Sequence, residues 1–247
     1  MSLAAIALAP GLALGSFLNV VAARLPLGRS LVSPPSACMS CGHELAWRDN
    51  VPLVSYALLR GRCRACAARI PLRYPLVELI AALLFAACFW RFGLSGDALV
   101  GAVFCLALVA VSAIDLEHRI IPNRIVVPAG LAVLAANTAL HPRAAWAIGA
   151  FGASGFLFAS ALAYPKGMGM GDVKLAFLMG AALGRTVTVA IFVAMLAGLV
   201  PSIVLFARHG VAARKMGVPF GPFLAFGGVV ALFAGPWLLH AYWSLSS

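Results

Sequence analysis

The sequence predicts an all-α polytopic membrane protein of about eight transmembrane helices, with a small cysteine-bearing loop domain. Of the 247 residues, 63% are hydrophobic and only 10% are charged, a composition typical of a chain embedded in lipid rather than of a water-soluble domain. Apolar runs recur along the chain at close to the roughly 20 residues that a spanning helix needs. Two C-x2-C pairs lie in the long polar stretch that follows the first run.

The apolar runs predict eight spans joined mostly by short loops. In chain order they cover residues 3–22, 76–92, 98–115, 124–140, 144–163, 172–185, 187–207 and 221–243. The sixth span is the shortest uncharged run. Because a short helix draws its polar flank towards the bilayer, Asp172 at its start is expected close to the hydrocarbon.

The distribution of Lys and Arg predicts the orientation. These residues favour cytoplasmic loops. If the segment between the first two spans is cytoplasmic, only Arg91, Arg143 and Arg185 of the 18 cationic residues fall on the other side. Both termini then face away from the cytoplasm. Residues 1–23 carry no charge, so the basic start of a signal peptide is missing and a retained first span is expected.

The net charge of +11 does not indicate nucleic-acid binding. Most of it lies in loops next to the spans, where topology and anionic membrane lipid explain it. We therefore expect membrane lipid as a partner and no nucleic acid. The predicted domains are a first transmembrane helix (residues 1–23), a cytoplasmic cysteine domain (24–75) and a seven-helix membrane core (76–247).

The cysteine domain carries a candidate metal site. Its four cysteines form two C-x2-C pairs with 21 residues between them: Cys38, Cys41, Cys63 and Cys66. Four thiolates satisfy tetrahedral Zn²⁺, and this spacing is close to that of structural zinc sites. About 50 residues form too small a core without a staple. An iron–sulfur centre, free thiols or disulfides are the alternatives, and a cytosolic location argues against disulfides.

Two acidic residues at predicted helix ends are the candidate catalytic groups. Asp115 ends the third span and Asp172 begins the sixth, both on the predicted cytoplasmic face. Two nearby carboxyl groups can share a proton and activate water. Gly169 and Gly171 give a substrate backbone access beside Asp172, and Lys174 could attract a substrate carboxylate or pair with Asp172. Helix capping and an ion or proton pathway remain alternatives.

These residues belong to a series of motifs that resembles one family, the bacterial type IV prepilin peptidases, which are GxGD-type membrane aspartic proteases. The series comprises GSFLNVVAARLP (15–26), the paired C-x2-C motifs, WRDNVPLVSYALLRGRCRAC (47–66), RYPLVELI (73–80), AIDLEHRIIPN (113–123), GMGMGDVKL (167–175) and PFGPFLAFGG (219–228). It covers almost the whole chain in the family's order.

The resemblance implies an inner-membrane aspartic protease that removes the basic leader from prepilins or type II secretion pseudopilins at the cytoplasmic face. Asp115 and Asp172 match the family's catalytic positions. The four cysteines match those of members that also methylate the new N-terminus with S-adenosylmethionine, whereas some members without them are peptidase-only. The roles of Asn19 and Glu78 stay open.

Overall fold

The computed structural model describes residues 3–164, 168–210 and 218–246. Within these ranges the chain is almost entirely α-helical, and two isolated bridges are the only β-type pairing described. The helices are α1 (Leu3–Arg24), α2 (Val54–Leu58), α3 (Arg73–Phe92), α4 (Gly96–His118), α5 (Asn123–Leu140), α6 (Ala145–Ala163), α7 (Met170–Leu183), α8 (Val187–His209) and α9 (Gly221–Ser246). The prediction of an all-α polytopic membrane protein is confirmed.

The eight long helices coincide with the eight predicted spans, and their ends agree within three residues. Among the described residues, length and composition alone give seven stretches able to cross a membrane, because Met170–His209 counts as one stretch of 40 residues. That stretch contains α7, a 3-10 turn at Gly184–Thr186 and α8. Gly184, with φ of 55°, allows the chain to leave α7 there.

The chain reverses direction between α7 and α8. Gly171, at the start of α7, lies against Ile121, close in sequence to the start of α5. Thr186, at the start of α8, lies against Gly235, and twelve residues later Gly198 lies against Phe220, next to the first residue of α9. Asp115, six residues before Ile121, accepts the N–H of Gly221 at the start of α9, so α7 and α9 begin at the same level. Since α9 runs antiparallel to α8, α7 and α8 are also antiparallel rather than one continuous helix.

The chain divides into two compact units, residues 1–113 and 114–247. The finer division predicted from the sequence stays a prediction. In the first unit α1 packs antiparallel to α3, with Gly11 against Ala82 and Gly15 against Glu78. The two helices approach closely because neither glycine places a side chain between them. A Cβ at Gly15 would lie 2.7 Å from the Cα of Glu78. Small residues of this kind let membrane helices approach closely.

In the second unit α7 is the most enclosed helix, with nine of its 14 residues buried. It is apolar all round after Lys174, as expected of a helix surrounded by others. It packs antiparallel to α6, where a Cβ at Gly180 would collide with the carbonyl oxygen of Gly149. It also packs on α5, where Asn137 Nδ2 donates to the carbonyl oxygen of Ala181 at 2.9 Å. These contacts fix the helix that carries Asp172.

Candidate active site and metal centre

Asp115 lies in the last turn of α4 and is buried, with 5% of its surface exposed. Its Oδ2 accepts a hydrogen bond of 3.0 Å from the backbone N–H of Gly221, the first residue of α9. The positive end of the α9 dipole therefore faces this carboxyl group. A side chain at position 221 would not fit, because its Cβ would lie 2.7 Å from the same oxygen.

Asp172 lies in the first turn of α7 and is also buried, with 8% exposed. Its Oδ2 accepts a hydrogen bond of 3.3 Å from the N–H of Gly169, and its own N–H donates to the carbonyl oxygen of Gly169 at 3.1 Å. Gly169 is therefore the N-cap of α7, and Asp172, at the third position of the helix, bonds back to it rather than being the N-cap itself, as one interpretation of the sequence proposed. Capping fixes the carboxyl group in place and leaves its second oxygen available for chemistry.

Both aspartates belong to the second unit, and their carboxyl groups are close enough to interact electrostatically. Two local features bring them together. The chain turns sharply at Arg119, with φ of 54°, directly after α4. Ile121 then packs on Gly171, where a Cβ would lie 2.8 Å from the Cβ of Ile121. A glycine at 171 is therefore needed for close packing beside Asp172.

Lys174 is held at the start of α5. Its Nζ donates to Asn123 Oδ1 at 2.9 Å, so the structure gives it a partner other than Asp172. Sequence reasoning did not single out Asn123 or Gly221. A signal for Gly221 was present, since glycine before proline at the start of an apolar run is an unusual way to open a helix.

The four predicted metal ligands come together in the first unit. The Sγ atoms of Cys38, Cys41, Cys63 and Cys66 all lie within 4.8 Å of one another, and those of Cys38 and Cys66 are 3.8 Å apart. Zn–S bonds of about 2.3 Å in a tetrahedron place sulfur atoms about 3.8 Å apart. The cluster can therefore hold a metal ion and fits Zn²⁺.

The two halves of the metal centre have the same backbone geometry. Cys38 N–H donates to the carbonyl oxygen of His43, and Cys63 N–H donates to that of Ala68, each at 2.9 Å. Each segment reverses within five residues and points its two thiols to one centre. Arg64 also makes a bidentate ion pair with Asp49, with Nη2–Oδ1 at 2.7 Å and Nε–Oδ2 at 3.2 Å. This pair ties the second half to the Trp47–Asn50 turn.

The thiols of this centre are prepared for metal binding to different degrees. Backbone N–H groups of Cys41 and then Ser40 donate to Cys38 Sγ and lower the pKa of Cys38 to about 6 from its ordinary 9.0. An amide hydrogen bond from Ala68 lowers the pKa of Cys66. The Cys41 thiol and burial act in the opposite direction, and the net result is a pKa of about 12. One thiolate is thus present at neutral pH to begin metal capture.

Asn19 and Glu78, whose roles the sequence left open, act within the first unit. Asn19 Nδ2 donates to the carbonyl oxygen of Tyr74 at 3.0 Å, which links α1 to the start of α3. Glu78 Oε2 accepts the N–H of Leu53 at 3.0 Å. Leu53 directly precedes α2 and has φ of 59°. Both side chains therefore hold the cysteine-bearing loop against the helix pair.

Comparison with known proteins gives a consistent result. The family described as "Bacterial Peptidase A24 N-terminal domain" matches residues 10–92, and "Type IV leader peptidase family" matches residues 102–203, which include both aspartates. No solved structure matches the chain significantly.

Curated relatives of the chain carry the name prepilin leader peptidase/N-methyltransferase, among them the following three. The Burkholderia pseudomallei (strain 1026b) protein is 38% identical over 94% of this chain and 85% of its own length. The Bacillus subtilis protein is 35% identical over 94% of both chains. The Myxococcus xanthus protein is 44% identical over 70% of this chain but only 43% of its own length.

Proposed function

The chain belongs to the type IV leader peptidase family, and from this premise we propose that it is a membrane aspartic endopeptidase. It cleaves the basic leader from type IV prepilins or type II secretion pseudopilins and then methylates the new N-terminus. The observation that carries the proposal is the pair of buried, interacting carboxyl groups of Asp115 and Asp172, each fixed by a glycine N–H at a helix start.

The proposed mechanism uses the two carboxyl groups in complementary states. One is ionised and takes a proton from a water molecule, and the other is protonated and donates to the oxygen of the scissile carbonyl. They exchange roles when the amine leaves. The N–H groups of Gly221 and Gly169 each hold one carboxyl oxygen, Oδ2, and so fix the two carboxyl groups in place. Because a coupled pair titrates as a unit, neither aspartate is assigned a fixed role.

A transport function has less support. A path for ions would need polar side chains through the bilayer. Among the described residues, Asp115, Asn137 and Asp172 are the buried polar or charged ones. Asn137 is already bonded to Ala181, so the two aspartates at one end of α7 form a site rather than a path.

The proposed location is the bacterial inner membrane, with the aspartates at the cytoplasmic face and both termini periplasmic. In this orientation the positively charged cysteine loop faces the reducing cytosol, which keeps the thiols available for Zn²⁺. Cys38, Cys41, Cys63 and Cys66 would hold the ion, whose part is structural. S-adenosylmethionine is the proposed methyl donor, and the complete cysteine set favours the bifunctional enzyme over a peptidase-only one.

The test is mass spectrometry of a prepilin co-expressed with the protein. Wild type should yield a mature pilin lacking its leader and heavier by one methyl group. Asp115→Asn and Asp172→Asn should each leave the prepilin uncut, at least about 1,000-fold slower, because the pair acts as a unit. Asp97→Asn, a charge loss at the opposite end of α4, is the matched control and should cleave normally. Full cleavage by either site variant would remove the dyad.

A further inference from the structure

The second unit carries charged residues at two levels that are closer together than the thickness of a bilayer. We call Arg119, Arg124 and Lys174 the aspartate rim, and Arg143 and Arg185 the opposite rim. The part of α7 after Lys174 and Gly184 of the following 3-10 turn separate Lys174 from Arg185. At 1.5 Å per residue, the two residues lie about 17 Å apart along the helix axis. The hydrocarbon layer of a bilayer is about 30 Å thick.

The contact between α8 and α9 gives an independent measure of the same height. Gly221 lies at the level of Asp115, to which it donates its N–H. Gly235 lies at the level of Thr186, next to Arg185, because a Cβ at 235 would lie 2.9 Å from the Cβ of Thr186. From Gly221 to Gly235 the helix rises about 21 Å. Both measures place the two rims about 10 Å closer together than the hydrocarbon layer is thick.

At the aspartate rim, extended side chains cannot make up the difference of about 10 Å between the separation of the rims and the thickness of the hydrocarbon layer. Arg143 and Arg185 are exposed, and long cationic side chains can extend towards the headgroups. Lys174, in contrast, is held by its hydrogen bond to Asn123, and the two aspartates are buried and bonded to backbone N–H groups. The polar surface of the membrane has to approach these groups.

The apolar part of helix α8 is as long as a bilayer is thick, and it extends past the level of the aspartate rim. From Val187 to Phe206 it rises about 30 Å, and Arg208 and His209 follow. It passes the start of α9 at Gly198. Beyond that point its large side chains are 45% to 63% exposed. They are Leu199, Val200, Ile203, Val204 and Phe206. Hydrocarbon is the occupant that fits this surface, since the charges at the end of α8 mark the membrane boundary.

We propose that lipid in the leaflet next to the aspartate rim is thinned by about 10 Å, so that the membrane surface is indented beside the second half of α8. The indentation brings the water boundary to Asp115 and Asp172. On the proposed function, it lets the basic leader of the substrate stay in water while the apolar helix after it stays in lipid. The partner of this surface is thus a locally thin bilayer.

The test compares proteoliposomes made from monounsaturated phosphatidylcholines with chains of about 14 to about 22 carbons. Two readouts are measured, the rate of prepilin cleavage and the Tm of the protein. We expect wild type to cleave about tenfold more slowly in the thickest bilayer than in the thinnest, and its Tm to fall in the same order.

Arg185→Leu removes an exposed charge from the opposite rim, far from the aspartates. The substitution lengthens the apolar surface at that end of the second unit. The rate of prepilin cleavage should therefore fall only about threefold from the thinnest to the thickest bilayer. Arg91→Leu removes an exposed charge from the first unit instead and should keep the tenfold dependence.

The two readouts separate this proposal from the proposed function. Equal cleavage rates and equal Tm values in every bilayer would overturn the thinning, and so would an Arg185→Leu variant as sensitive to thickness as wild type. If prepilin stays uncut in every bilayer while the Tm still falls with chain length, the thinning stands and the peptidase function is wrong.

Discussion

Replacing Gly221 by alanine should disable catalysis without unfolding the protein. The new Cβ would lie 2.7 Å from Asp115 Oδ2 and 3.2 Å from Asp115 Cγ. The carboxyl group must therefore move by about 0.6 Å or more, since ordinary carbon–oxygen contacts begin near 3.3 Å. That movement stretches the 3.0 Å hydrogen bond from the Gly221 N–H.

Two estimates give the size of the effect. A hydrogen bond to a charged group contributes about 1.5–3 kcal/mol, or roughly 10- to 150-fold in rate. A catalytic group misplaced by about 1 Å costs on the order of 100-fold. We expect kcat for prepilin cleavage to fall by about 30- to 100-fold, with KM nearly unchanged because the substrate-binding surface is intact.

Gly169→Ala is the matched control, because Gly169 donates its N–H to the other aspartate in the same way. Its new Cβ would lie 3.7 Å from Asp172 Oδ2, an ordinary contact, and its φ of −84° suits alanine. Cleavage should stay within about threefold of wild type.

The assay is steady-state cleavage of a purified prepilin in proteoliposomes, with thermal unfolding of each variant as the check on folding. A folded Gly221→Ala protein with wild-type kcat would refute the placement of Asp115 by the start of α9. Equal losses in the two alanine variants would refute the argument from distance.

Three further predictions concern the metal centre and the core. Cys63→Ser should lower bound zinc from about one ion per chain and expose the loop to trypsin; metal-free wild type with an equally protected loop would contradict this. In chelated protein at pH 7, iodoacetamide should modify Cys38 before the more exposed Cys66, because their pKa values are about 6 and about 12; peptide mass spectrometry reads the order, and the reverse order would contradict it. Gly180→Ala should destabilise the protein by about 3 kcal/mol, since its Cβ meets a backbone carbonyl of α6, whereas Gly155→Ala, with nothing within 4 Å, should leave the Tm unchanged.

Local signals in the sequence were sufficient to predict the helices, the cysteine cluster and the two candidate catalytic residues. Uncharged runs placed all eight long helices within three residues, because a helix in lipid must be apolar over its length and satisfy its own backbone. The C-x2-C spacing placed the four thiols at one centre, because each pair lies in a tight turn that its own backbone hydrogen bonds define. Acidic residues are scarce, and Asp115 and Asp172 stood out because they lie at the ends of apolar runs.

The partners of those residues were decided by the tertiary structure alone. Gly221 reaches Asp115 across 106 positions of sequence, and Asn123 reaches Lys174 across 51. Helices that are apolar on every side carry no periodic pattern to show which faces meet, so their register follows from glycine-sized gaps that only packing reveals. The sequence by itself determined which segments enter the membrane and which groups can do chemistry. The packing of α7 and α9 decided what holds each carboxyl group in place.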